Sequence, residues 1–137
     1  MRPVEGAVLA LDTNVLVRVL VDDPTAMGQC HSARTTVSEA GEVYVPQVVQ
    51  IETIWVLASA YGLDQPAIQA TLGAIANHPA FSLQRPEVFH AALQYYGDGH
   101  ADFADCMILA ESASAGHELA TFDRKLGKLP GTRLVSR

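Results

Sequence analysis

Residues Ala7 to Leu11 form an apolar run that stops at Asp12-Thr13-Asn14. A near-continuous apolar run without alternation reads as a parallel strand buried on both faces. Val15, Leu16, Val19 and Leu20 then recur at helical spacing, and Asp22-Asp23-Pro24 stops that helix. A second helix starts at Asp23 or Pro24 and runs to about Glu39-Ala40, where Gly41 ends it. Glu42 to Val45 reads as a short strand closed by Pro46. Val48 to Ala60 reads as a helix whose apolar face carries Val48, Ile51, Trp55 and Ala58 or Leu57, with Gly62 as its stop.

The second half repeats this alternation. Asp64-Gln65-Pro66 opens a helix through Ile75 or Ala76, with Asp64 as N-cap. Phe81 to Leu83 is a short strand, and Pro86 to Tyr96 a helix broken by Gly97-Asp98-Gly99. Asp102 to Ala115 is a helix stopped by Gly116, and Glu118 to Phe122 a strand followed by Asp123. Thr132 to Val135 is a last, edge strand. Strands alternating with helices predict a parallel sheet covered by helices on both faces.

With 137 residues, one domain with one core is expected. The 49% hydrophobic share excludes a disordered chain. No apolar run reaches the length of a membrane span, and the N-terminus lacks the pattern of a signal peptide, so a cytoplasmic location and no membrane association are expected. Cys30 and Cys106 have no metal-like spacing and are expected to be reduced, packed thiols. The formal charge of −6 argues against a whole-surface nucleic-acid binder. Arg124, Lys125, Lys128, Arg133 and Arg137 nevertheless crowd the last segment, which fits either a basic edge for nucleic acid or a solvated tail.

Four acids stand where the apolar pattern would not place them. Asp12 and Asp123 each follow a strand, so both are expected at one edge of a parallel sheet. Glu52 interrupts an apolar helix between Ile51 and Ile54, and Asp105 lies in the first turn of the Asp102 helix. Helices of such a fold begin at the edge where its strands end, so the four are expected to converge. Clustered carboxylates repel unless a cation neutralises them. An all-oxygen set without His or Cys at ligand spacing favours Mg²⁺, or Mn²⁺ as a substitute. Each acid also has a plain structural reading. Asp102 and Asp105 are spaced as a cap and a dipole-favouring partner, and capping accounts for Asp102. Asp12 and Asp123 would serve as strand-end turn residues, and Glu52 as a solvated one. Thr13 and Asn14 could bond a metal-bound water, with helix capping the plainer role for Asn14; Thr121 could do the same or only favour a strand. His100 is the histidine nearest these acids. Tyr95, Tyr96 and Trp55 fit core or interface better than base-stacking platforms.

Together, Leu11-Asp12-Thr13-Asn14-Val15-Leu16-Val17-Arg18, Ile51-Glu52, Asp102-Phe103-Ala104-Asp105 and Thr121-Phe122-Asp123-Arg124-Lys125 resemble the PIN-domain family, and within it the VapC toxins of bacterial VapBC modules. The resemblance runs from about Val8 to the C-terminus. It implies a PIN-like three-layer α/β/α sandwich with a central parallel sheet of about four or five strands, in a single domain over residues 1–137 with a short extension at residues 1–6. It implies a Mg²⁺- or Mn²⁺-dependent endoribonuclease with the family's acids on Asp12, Glu52, Asp105 and Asp123. It places Thr13 at a small hydroxyl position near the metal. Arg18 matches an arginine common in VapC-like members, whose role as substrate contact, dimer contact or solvated residue stays open. Arg124 and Lys125 are candidate RNA contacts beside it. A homodimer and a VapB-like antitoxin are the implied partners. Two other readings remain. One is a catalytically silent PIN-fold binding module. The other is a phosphoryl-transfer enzyme with Asp12 as nucleophile, against which Asn14 stands where such enzymes place a second aspartate.

Overall fold

The computed structural model describes residues 8–99 and 101–136. The extension at residues 1–6 and His100 lie outside the described residues. The described chain forms two compact units interleaved in sequence. Residues up to Leu63 together with Asn77–Gln84 make the first; Asp64–Ala76 and the residues from Arg85 onward make the second.

In the first unit, β1 (Leu9–Ala10), β2 (Val43–Val45) and β3 (Phe81–Leu83) form a parallel sheet with β2 in the middle. Leu9 pairs with Val43 and Ala10 with Tyr44; Val43 pairs with Phe81 and Val45 with Leu83. Val43 and Val45 are fully buried, as a central strand requires. Against them pack Leu11, Leu16 from α1 (Thr13–Leu20), Val37 from α2 (Met27–Ala40) and Val49 from α3 (Gln47–Ser59). Alternating valines are poor helix formers, and α1 holds because Leu16 and Val17 are buried. Carbonyls at its C-terminal end are covered by side chains of α2: Arg34 donates from Nε to Val19 O and from Nη2 to Val21 O, both at 3.1 Å, and Cys30 Sγ donates to Val21 O at 3.4 Å. A single 3-10 turn, Pro24–Ala26, precedes α2, because Asp23 accepts from Thr25 N and tightens the entry.

Two expectations change here. Asn14 is not the cap of α1. Asp12 has the extended backbone of an N-cap and accepts from Val15 N at 3.0 Å, which leaves Asn14 inside the first turn and exposed. Of the α3 face expected inward, Val48, Trp55 and Ala58 stay exposed and Ile51 is half-buried, while the alternative Leu57 does enter the core. Val48 and Trp55 are 73% and 69% exposed, while Val49, Gln50, Thr53, Ile54 and Leu57 are buried. Gln50 lies on the inward row. Its Nε2 donates to Val45 O at 3.1 Å and to Gln84 O at 3.0 Å, so a polar side chain ties α3 to both β2 and the residue after β3. The Gln50 Oε1 atom is buried without a hydrogen-bond partner among the described residues, so the donated bonds of Nε2 are what hold this amide inside.

In the second unit, α4 (Gln65–Asn77) is capped by Asp64, which accepts from Ala67 N at 3.0 Å. Helix α5 (Pro86–Gly97) packs on α6 (Phe103–Ser114), where Phe103 meets Phe89 and Tyr96 edge-on at 5.7 and 6.2 Å. β4 (Leu119–Thr121) and β5 (Thr132–Leu134) form a parallel ladder, with Leu109, Leu126 and Leu129 packed together.

The α/β class and the parallel pairing are as expected. The larger sheet has three strands, fewer than the four or five expected, and β4 and β5 form their own ladder. Leu119 N donates to Gly131 O and Val135 N to Thr121 O, and these bonds extend the β4–β5 ladder at its two ends. Asp12 and Asp123 accordingly follow strands of two different ladders, not of one. No helix among the described residues is long and apolar enough to cross a membrane.

Candidate active site

Asp12 lies two residues beyond β1. Buried Leu11 anchors it from below, with its N–H on Tyr44 O at 2.9 Å, and the Asp12 side chain emerges exposed. Capping uses only Oδ1; the second carboxylate oxygen has no protein partner among the described residues. Thr13, 8% exposed, donates from Oγ1 to Glu52 Oε1 at 2.5 Å. This bond fixes Glu52 on α3 beside the segment that carries Asp12, and α1 and α3 are packed together. Glu52 is exposed, so its other oxygen faces water.

The second unit holds a second carboxylate group. Asp102 caps α6, accepting from Asp105 N at 2.9 Å, as expected. Asp105 is half-buried. Burial raises its carboxyl above the ordinary range, the charge and hydrogen bond of Asp102 raise it further, and the charge of Asp123 adds to this. Asp123 lies two residues beyond β4 and is exposed. Its Oδ1 accepts from Lys125 N at 2.8 Å and Leu126 N at 3.0 Å, and its own N–H is held by Thr121 Oγ1 at 3.0 Å. Asp12 and Asp123 thus share one local design: a strand, one apolar residue (Leu11 or Phe122), and an acid that spends one oxygen on the next turn. Cys106, beside Asp105, is fully buried, and burial first and then the charges of Asp102, Asp105 and Asp98 push its thiol up to about 12. It is a packing residue, not a nucleophile. Cys30 is likewise buried and free.

Within neither unit do three or more His, Cys, Asp or Glu side chains among the described residues stand close enough to hold a metal. Each unit offers carboxylates of the right chemistry: Asp12 with Glu52 in the first, Asp105 with Asp123 in the second.

Arg18 has a partner set that the sequence did not reveal. Nε donates to Gln29 Oε1 at 3.0 Å and Nη1 to Asp23 Oδ2 at 3.1 Å, with a further bond from Nη1 to the Tyr61 hydroxyl. Tyr61 in turn donates to Asp23 Oδ2 at 2.8 Å. Hydrogen bonds from Thr25 and then Tyr61, aided by the Arg18 charge, lower the Asp23 carboxyl to about 2. The acidic run before Pro24, read as a helix stop, was the only local signal for this pair. Arg124 and Lys125 are exposed and line an open depression of about 470 Å³ with Phe122 and Asp123. Among the described histidines, His31, His90 and His117 are exposed, and His78 stacks on Phe81 at 3.9 Å.

A VapC ribonuclease from Aquifex aeolicus (strain VF5) is 26% identical over 121 residues, which covers 87% of this chain and 90% of that protein. The family model of the PIN domain matches residues 9–131, a span that includes Asp12, Glu52, Asp105 and Asp123 and draws on both compact units. On that match, the chain belongs to the PIN domain family.

Proposed function

We propose that this protein is a divalent-metal-dependent endoribonuclease and the toxin of a toxin–antitoxin pair. Asp12, Glu52, Asp105 and Asp123 are the metal ligands in this reading. The observation that carries it is the match to the PIN domain over residues 9–131, a span that contains all four acids, and beside it stands Asp105, a half-buried carboxyl with Asp102 and Asp123 as acidic neighbours. Such a group gains more from a cation than a solvated acid does. An all-oxygen donor set suits Mg²⁺, with Mn²⁺ as a substitute. When bound, the ion would supply an activated water and charge neutralisation for hydrolysis of an RNA phosphodiester.

The chain's own groups do the rest. Thr13 orients Glu52 through the 2.5 Å bond. Thr121 holds the backbone of Asp123, and Asp123 orders the turn that presents Arg124 and Lys125, which would hold the RNA backbone. A VapB-like antitoxin, a homodimer and a cytoplasmic location complete the proposal, supported by the resemblance to the VapC ribonuclease.

Cleavage of RNA by the protein with Mg²⁺, with EDTA, and as Asp12→Asn tests this. Cleavage with Mg²⁺ alone is expected, and equal cleavage in all three overturns the proposal. Tight RNA binding without cleavage under any metal condition would instead favour a silent binding module.

A further inference from the structure

A groove of about 620 Å³ runs between α1 and α2 and has Asp12 on its wall. That volume lies within the range of small-ligand sites, roughly 300–1,000 Å³. From α1 it is lined by Asn14 and Arg18, one helical turn apart and hence on one face. From α2 it is lined by Gly28, Ser32 and Thr36, spaced four apart, with Gln29 beside them. A Cβ at Gly28 would meet no atom within 4 Å, so α2 leaves open space there. Thr36 Oγ1 is spent on Ser32 O at 2.8 Å, which leaves its methyl group for the groove.

The charge of this groove is the informative part. The one cation on its wall, Arg18, is already paired with Asp23. The remaining polar groups, apart from Asp12, are neutral amides and hydroxyls. Yet Arg18 is held in place by three partners through Nε and Nη1, and Nη2 has none among the described residues. A neutralised, pre-oriented guanidinium with a donor to spare suits a neutral acceptor, such as a base edge or a ribose hydroxyl, better than a phosphate. The small α2 row gives a flat ring room to approach.

We propose that the α1–α2 groove is the subsite for the base and ribose of the nucleotide adjoining the scissile phosphate, with Arg18 and Gln29 reading the base. This rests on the ribonuclease reading, because Asp12 is what makes the groove adjacent to a reacting phosphate.

Gly28→Leu tests it. The substitution fills the groove from an exposed helical position and favours the helix, so the variant is expected to fold. Cut sites are mapped on a random-sequence single-stranded ribo-oligonucleotide, and affinity for the same fluorescein-labelled oligonucleotide is measured in EDTA. The expected result is a loss of base preference next to the cut and an affinity lower by about fivefold or more. Gln29→Ala is expected to change the base preference in the same position. If the native protein cuts RNA and Gly28→Leu keeps both preference and affinity, the subsite is overturned while the ribonuclease reading stands, and the groove is left to a protein partner. If the native protein cuts nothing but binds, the ribonuclease reading falls, and unchanged binding by Gly28→Leu overturns the subsite as well. If it neither cuts nor binds, both are overturned.

Discussion

Thr13 and Glu52, 39 positions apart, are joined by a 2.5 Å hydrogen bond from hydroxyl to carboxylate. The donor is nearly buried and the acceptor exposed, so the bond holds one carboxylate oxygen still and leaves the other to solvent. Thr13→Val keeps the shape and removes the donor. A loss of about 1 kcal/mol in stability is expected, the usual net worth of such a bond. Urea unfolding of Thr13→Val beside Thr13→Ser checks this, with the serine variant expected to stay near the native midpoint. RNA cleavage should fall in the valine variant and recover in the serine one.

Asp105 is a half-buried carboxyl with two acidic neighbours. Its carboxyl is raised by burial, Asp102 and Asp123, so ionisation at neutral pH works against the metal-free protein. Asp105→Asn is therefore expected to raise the melting temperature without metal while abolishing RNA cleavage. Added Mg²⁺ should raise the melting temperature of the native protein more than that of the variant. Thermal scans with and without Mg²⁺ read both effects, and a lower metal-free melting temperature for Asp105→Asn would count against this account.

Asp23 titrates in the opposite sense. Its folded carboxyl lies at about 2, below the ordinary 3.8. A depressed acid gives stability that is full above its ordinary value and is lost as pH falls toward the folded one. The native protein should lose part of its stability between about pH 4 and pH 2 through this group, whereas Asp23→Asn lacks that component at every pH. Urea midpoints of the two proteins across that window should draw together as acid is added.

Gly116 has φ 81, where α6 gives way to the approach to β4. Its N–H donates to Ala113 O and the next N–H reaches Ser112 O at 2.8 Å, which closes the helix end. Gly116→Ala forces a side chain into left-handed backbone and should cost about 1 kcal/mol. A lower denaturation midpoint with an unchanged slope is the expected reading.

Trp55 is the only tryptophan and is 69% exposed. Its fluorescence should be that of a water-exposed indole, and should shift little on unfolding. Trp55→Ala should change stability by no more than about 0.5 kcal/mol, as exposed substitutions do. Blue-shifted native emission at low concentration would contradict the exposure.

Much of the chain was legible before its coordinates. Asp64 and Asp102 cap the helices they were expected to cap, and Gly41 and Gly116 adopt positive φ at the predicted stops. Phe81–Leu83 and the parallel pairing of the strands also follow expectation. The strand-end placement of Asp12 and Asp123 was readable too, because an abrupt change from apolar to acidic residues marks where a buried strand surfaces. The less legible features share a cause. Trp55 and Val48 satisfy helical periodicity as well as Val49 and Ile54 do, and the apolar pattern of α3 does not say which row turns inward.

The amino-acid sequence by itself determined the order of helices and strands, the caps at Asp64 and Asp102, the glycine stops, and the places along the chain where acids interrupt apolar segments, though not which residue caps α1. These depend on hydrogen bonds and spacings within a few residues, which neighbouring side chains encode. Tertiary structure alone decided that Gln50 ties α3 to Val45 and Gln84, that Arg18 pairs with Asp23 and Tyr61, and that Thr13 grips Glu52. Most of these bonds join residues more than thirty positions apart, and buried polar groups accept whichever partner the packed chain brings within reach.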